Sequence, residues 1–210
     1  MLLDAEATLE MLRRYGLKAP KTALCSDRAD VLDEASRLRF PQVLKASSRE
    51  ETHKTEKGLV QLGIQSLDEM SDAFSRLERK TRTFSVDAYV VQEQVRGVEF
   101  ILGGHKDPTF GKTVLFGLGG VFAELFDETA IRVLPITKRN AQKMLEQTKA
   151  AAFFKPGGFR GKVASAEKAV DAVLKAAKMM QRENVVSFDI NPLMVNEREA
   201  LSVDARIVME

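Results

Sequence analysis

The stretch Val185–Ile207, VVSFDINPLMVNEREALSVDARI, decides the fold. Val185, Val186, Phe188 and Ile190 are strand formers, followed by Leu193, Met194 and Val195 and then by Leu201, Val203 and Ile207. Asn196-Glu197-Arg198-Glu199 reads as the turn between two β runs. Such a hairpin brings Asn191 and Asp204 side by side. Alternation along the first run puts Asp189 and Asn191 on one sheet face, opposite Phe188 and Ile190. Oxygens from Asp189, Asn191 and Asp204 suit Mg²⁺, which keeps few protein ligands and takes the rest from water and phosphate. A strand with a solvated polar face satisfies the same pattern, so the rest of the chain has to decide.

At 210 residues the chain fits one large domain or two small lobes. The 32 basic and 30 acidic residues nearly cancel, which argues against a nucleic-acid binder. No apolar run is long enough to span a bilayer, so no membrane role is expected. Met1-Leu2-Leu3 is followed by Asp4 and Glu6, which leaves no signal-peptide apolar region. Cys25 is the single cysteine and lies in a strand-like run; it reads as a small buried hydrophobe in a reduced, cytoplasmic setting.

The order of elements is that of a mixed α/β (α+β) protein. A helix over 4–15 ends at Gly16, and Thr22–Cys25 is a strand. Ser26 or Asp27 caps a helix to Leu38, and Gln42–Ala46 is a strand. A polar loop, Ser47–Gly58, leads into the strand Leu59–Gly63, and Ser66-Leu67-Asp68-Glu69 is a capping box opening a helix to Arg79. Strands follow at Ala88–Gln94, Glu99–Gly104, Thr113–Gly117, Val121–Leu125 and Ala130–Val133, with helices from Lys138 and after Ser165. The whole reads as a single domain over 1–210. Its small lobe covers 20–87 and its large lobe 88–210, with the helix 4–15 ahead of both.

Lys45 ends the apolar strand Val43-Leu44-Lys45-Ala46. A lysine there is costly unless its ammonium finds an anion or snorkels to water. A phosphate contact of this charge-assisted kind is worth about 1.5–3 kcal/mol. The loop Ser47–Gly58 carries His53, Lys54 and Gly58 and can donate backbone N–H groups to phosphate, but it is no Walker loop. Gly117-Leu118-Gly119-Gly120 lacks the spacing of a dinucleotide fingerprint.

FPQVLKASS, HKTEKGLVQLGI, VVQEQVRGVEFILGGHKDPTFG, VLFGLGGVFAELF, GFRG and the DINP hairpin stand in one order along nearly the whole chain. This series resembles an ATP-grasp domain, and is most similar to the nucleotide-binding β subunit of ADP-forming acyl-CoA synthetases, relatives of succinyl-CoA synthetase.

The resemblance implies an ATP-grasp fold of two lobes with nucleotide between them. It implies ATP/ADP and Mg²⁺ as cofactors, with Asp189, Asn191 and Asp204 on the metal. Lys45 is implied at the α/β-phosphates and Gly58 in the phosphate loop. Gln92, Glu93 and Val95 match the adenine hinge, and Glu99 matches the acid that takes the ribose hydroxyls. Arg132 is placed to meet the γ-phosphate. His53 matches a position linked to phosphoryl relay, and a neutral imidazole is a competent nucleophile for such transfer. The sequence departs from the family at Lys57, where a second glycine is usual, and at Gln92, where glutamate is usual.

The function implied is phosphoryl transfer between ATP/ADP and a phosphohistidine relay. It is coupled to acyl-CoA formation or cleavage with a CoA-binding α subunit that carries the main phosphohistidine and handles acyl-CoA and phosphate. Two other readings share the ATP site: a stand-alone ATP-grasp carboxylate–amine ligase, and a non-catalytic ATP-binding regulatory module.

Overall fold

The computed structural model describes residues 1–48, 58–119 and 129–210. The expected strand at Val121–Leu125 and most of the loop Ser47–Gly58, His53 included, lie outside them. The chain divides into two compact units. One comprises Leu3–Leu9 and Pro20–Val95, the other Met1–Leu2, Glu10–Ala19 and Arg96–Glu210.

The first unit is built on a four-stranded sheet. Its strands are β1 (Thr22–Cys25), β2 (Gln42–Ser47), β3 (Val60–Ile64) and β4 (Ala88–Glu93), in the spatial order β1-β4-β2-β3. Every pairing is antiparallel. Helices α2 (Arg28–Arg37) and α3 (Leu67–Thr81) pack on one face. There Val31, Ala35, Met70, Ala73, Phe74 and Leu77 bury against Cys25, Leu44, Ala46 and Val91. The boundary falls between Val95 and Arg96, later than the expected 87/88. The reason is pairing: β4 hydrogen-bonds to both β1 and β2 and so belongs to this sheet.

Both helices begin where side chains satisfy orphan N–H groups. Asp27, not Ser26, caps α2 by accepting from the Asp30 N–H at 3.0 Å. Ser66 caps α3 by accepting from the Glu69 N–H at 3.2 Å. The Glu69 carboxylate reaches back to the N–H of Gln65, one residue short of a closed capping box.

The second unit is built on a six-stranded antiparallel sheet. Its strands are β5 (Val98–Asp107), β6 (Gly111–Leu118), β7 (Thr129–Val133), β8 (Val185–Val195), β9 (Ala200–Ser202) and β10 (Ala205–Met209). The order is β10-β8-β5-β6-β7, with β9 also on β8. Helices α4 (Lys138–Glu146) and α5 (Ala166–Arg182) follow β7, separated by a 3₁₀ turn at Lys149–Phe154. A closed capping box starts α4, with Thr137 and Asn140 bonding reciprocally, and Ser165 caps α5. Phe100 is fully buried, stacked on Phe116 at 5.2 Å and on Phe154 at 5.3 Å between ring centroids. Gly104 makes room for the Phe188 ring, which a side chain at 104 would strike.

Helix α1 (Ala5–Arg14) ends as its glycine predicts. Gly16 adopts φ +71°. Its N–H donates to the Arg13 carbonyl at 2.9 Å and the Leu17 N–H donates to the Leu12 carbonyl at 2.9 Å, the paired bonds of a Schellman turn. Among the described residues no helix is long and apolar enough to cross a membrane.

Candidate functional site

The Val185–Ile207 hairpin forms as its sequence demands. Asn196 makes the turn by accepting from the N–H groups of Arg198 at 2.8 Å and Glu199 at 3.0 Å. The returning run is split: β9 pairs with Leu193–Val195, β10 pairs with Val185–Ile190, and Val203-Asp204 bridges them. At this break the Asn191 N–H donates to the Asp204 carbonyl at 3.0 Å. The two residues named from sequence are thus adjacent.

Strand register decides which way they face. Asp189 lies opposite Gly103 on one side and Arg206 on the other. Opposed residues in an antiparallel sheet point to the same face. Asp189 and Asn191 are exposed, while Phe188 and Ile190 are buried on the α5 side. Asp189 is exposed, yet enough protein surrounds it to matter electrostatically. Partial burial, reinforced by the Asp204 carboxylate, raises the Asp189 pKa, and Arg206 opposes the rise. A pair of carboxylates that repel each other beside an amide is a donor set a hard divalent cation would stabilise. Among the described residues no cluster of three His, Cys, Asp or Glu side chains competes with it.

Glu99 is on the same face of β5 as Gly103 by alternation, and exposed. Among the described residues its carboxylate makes no hydrogen bond or ion pair. Gly97 has to be glycine, because a side chain there would come within 2.7 Å of the Val195 carbonyl oxygen.

In the first unit, Thr22, Gln92 and Val43 are in register across β1, β4 and β2, and Lys45 is on their face two residues on. That face is the one turned away from α2 and α3. Lys45 is only 7% exposed and Gln92 3%, so their polar atoms need partners. Lys45 Nζ donates to Gln92 Oε1 at 2.9 Å, and Gln92 Nε2 donates to Thr22 Oγ1 at 2.9 Å. Gly58 opens β3 with φ +64°, a left-handed conformation that favours glycine, and its carbonyl accepts from Lys80 Nζ at 3.2 Å.

Two of the residues named from the sequence face away from the others. Arg132 pairs with Val114, which places it on the helix-packed face opposite to Asp189. Its guanidinium is held there by the Ile131 carbonyl and by Gln147 at the end of α4. It does not join the Asp189 cluster. Glu93 points to the α2 side of β4, away from Gln92. Its carboxylate is bound by Arg39 at 3.0 Å and its N–H by the Lys21 carbonyl at 2.9 Å. Those groups are not open to a base. Val95 is the last residue of the first unit, just beyond β4. That Thr22 lies opposite Gln92 and Arg206 opposite Asp189 could not be read from the sequence, because only cross-strand register reveals what each faces.

An ATP-grasp domain model matches residues 1–209. The chain belongs to the ATP-grasp family. Within it, the chain is 35% identical over its whole length to acetate–CoA ligase [ADP-forming] II of Archaeoglobus fulgidus, of which it spans 30%. It is 31% identical to the β subunit of acetate–CoA ligase [ADP-forming] I of Pyrococcus furiosus, covering 99% of this chain and 91% of that one. The chain thus corresponds to under a third of one relative and to most of the other. Among solved structures it resembles the dinucleotide-forming acetyl-coenzyme A synthetase 1 of Ca. Korarchaeum cryptofilum. A complex with coenzyme A and Ca-AMPCP superposes with a TM-score of 0.93 at 30% identity, over 100% of this chain and 93% of that one. Another structure of that synthetase, with coenzyme A and Mg-AMPPCP, has a phosphohistidine segment pointing towards the nucleotide binding site; it matches with a TM-score of 0.84 at 30% identity, over 99% of this chain and 92% of that one.

Proposed function

We propose that this chain is the nucleotide-binding β component of an ADP-forming acyl-CoA synthetase, an acid–thiol ligase that works with a CoA-binding α component. Lys45 meets the phosphates of ATP, and Gly58 lies at the base of the phosphate loop. Asp189, Asn191 and Asp204 hold Mg²⁺, which when bound neutralises phosphate charge. Glu99 takes the ribose hydroxyls, and Gln92 and Val95 flank the base. His53 relays the phosphoryl group: its imidazole nitrogen forms a bond to γ-phosphorus as the bond to the ADP oxygen breaks. Transfer of this kind relies on positioning and charge compensation more than on covalent help from other groups.

The observation that carries the proposal is the adjacency of Asn191 and Asp204, with Asp189 beside them on the sheet face opposite Phe188 and Ile190. The test is to purify the chain with its α component and assay ATP formation from ADP, phosphate and a panel of acyl-CoAs. ATP formation that depends on CoA thioester, on both components and on Mg²⁺ is expected. Amide formation from a free acid and an amine, by this chain alone, would replace the proposal with the carboxylate–amine ligase.

A further inference from the structure

The turn within GFRG is held in a conformation few residue types adopt. The Phe159 N–H donates to the Lys162 carbonyl at 3.0 Å, and the Lys162 N–H donates to the Phe159 carbonyl at 3.0 Å. Between them Arg160 takes φ +51° and Gly161 φ +75°, the signs of a type I′ turn. Arg160 is the one non-glycine residue with positive φ among the described residues. Glycine or asparagine adopts that conformation at lower cost than arginine. The turn presents two side chains. The Phe159 ring is 45% exposed and stands edge-on to Phe153, 5.6 Å between centroids. The Arg160 guanidinium lies 5.3 Å from the Phe159 centroid.

Beside this ring is a groove of about 460 Å³ lined by Leu118, Ala151, Ala152, Phe153 and Phe159. Thr148 is also in the lining, but its hydroxyl donates to the Leu145 carbonyl at 3.3 Å. Leu118 pairs with Phe100, so the groove lies on the helix-packed side of the sheet, opposite to Asp189. The charge around it is of one sign. Residues 148–164 contain four basic side chains and no acidic one, in a chain whose 32 basic and 30 acidic residues nearly cancel. Of these, Lys155, Arg160 and Lys162 are exposed and, among the described residues, make no ion pair. An apolar floor does not hold a small anion, and a cationic rim does not select a plain apolar ligand. Together they fit an amphipathic occupant.

We propose that this turn and groove dock the CoA-binding α component, through a segment of that partner with an apolar anchor flanked by carboxylates. The inference rests on the reading that the chain works with such a component. Charge complementarity selects the occupant. Its carboxylates meet Lys155, Arg160 and Lys162, while its anchor covers Phe159 and Phe153. Aromatic and arginine side chains over a pocket are the groups that carry interface energy. A second copy of this chain, meeting through the same patch, would instead set like charges against each other.

Sedimentation velocity of the full chain with its separately purified α component reads the dissociation constant. Phe159→Ser should weaken assembly by about thirtyfold, the scale of an interface hot spot. Arg160→Glu should weaken it by about tenfold or more, with a larger loss at low salt than at high, and it decides the matter if Phe159→Ser unfolds. Each folded variant should bind MgATP within about twofold of the wild type, and excess α component should restore its ATP formation. If the folded variants assemble as the wild type does, the docking surface is elsewhere and the inference fails, while the reading of the chain as a β component stands. If Phe159→Ser lowers the melting temperature of the isolated chain and leaves assembly intact, the ring serves this chain's own packing and the inference fails as well. If the wild type does not bind the α component at all, that reading falls and the inference with it.

Discussion

Asn191 and Asp204, on the two arms of one hairpin, are joined by a 3.0 Å hydrogen bond from the Asn191 N–H to the Asp204 carbonyl, at the break between β9 and β10.

A first prediction follows from the carboxylates at this break. Asp204→Ala should weaken Mg²⁺ binding at least tenfold, since removing even an outer partner of a metal ligand is worth about 10–100-fold. Asp189→Asn should also weaken Mg²⁺, yet raise the melting temperature of the metal-free chain at neutral pH. The sign follows from the raised Asp189 pKa: burial and Asp204 disfavour its charged form in the fold, so removing the charge stabilises. Calorimetric melting with and without Mg²⁺ checks both. A variant with unchanged metal affinity would remove its residue from the metal site.

His53 carries the second prediction. His53→Ala should bind MgATP within about twofold of the wild type, because the contacts proposed for binding lie elsewhere. It should abolish phosphoryl exchange between ATP and the α component. Radiolabel exchange in the assembled enzyme reads this directly, and exchange at the normal rate would leave His53 as a loop residue only.

Cys25 is 2% exposed, and its burial, with Glu34, Asp30 and Asp27 nearby, pushes the thiol pKa up to about 11. At pH 8 the thiolate is then about one part in a thousand, against about a quarter for a free cysteine of pKa ~8.5. Iodoacetamide at pH 8 should leave the native chain unmodified over a time that fully labels the urea-unfolded chain. One equivalent of native labelling would contradict the buried assignment.

The Glu93–Arg39 pair should appear in the acid limb of stability. Hydrogen bonding from the Arg39 guanidinium holds the Glu93 carboxyl below its usual range, against partial burial. A depressed folded pKa gives stability that is fully present above the unfolded value of about 4.3 and is lost as pH falls through the folded value. The stability difference between wild type and Glu93→Gln should therefore shrink as pH drops from 6 towards 3. Urea midpoints across that range test it, and a difference independent of pH would show that the charge is not what stabilises.

Much of this was legible in the chain itself. The alternation of Phe188 and Ile190 with Asp189 and Asn191 reads as a strand with one polar side, and Asn196-Glu197-Arg198-Glu199 reads as the turn that returns it. Gly16, Ser66, Thr137 and Ser165 announced helix ends, and Ser26 or Asp27 a further one, because capping is local chemistry read within four residues. Cys25 and Lys45 were likewise placed on strands by their neighbours.

The sequence by itself determined most of the element order among the described residues, the polar parity of β8 and the adjacency of Asn191 and Asp204. Only the tertiary structure decided which parity faces the helices. It turned Arg132 and Glu93 to the helix-packed faces, where Gln147 and Arg39 hold them. It aligned Arg206 with Asp189, and Thr22 with Gln92. The physical reason is that alternation has period two inside one strand, whereas the face a residue shares with another strand depends on register, and one residue of slip reverses it.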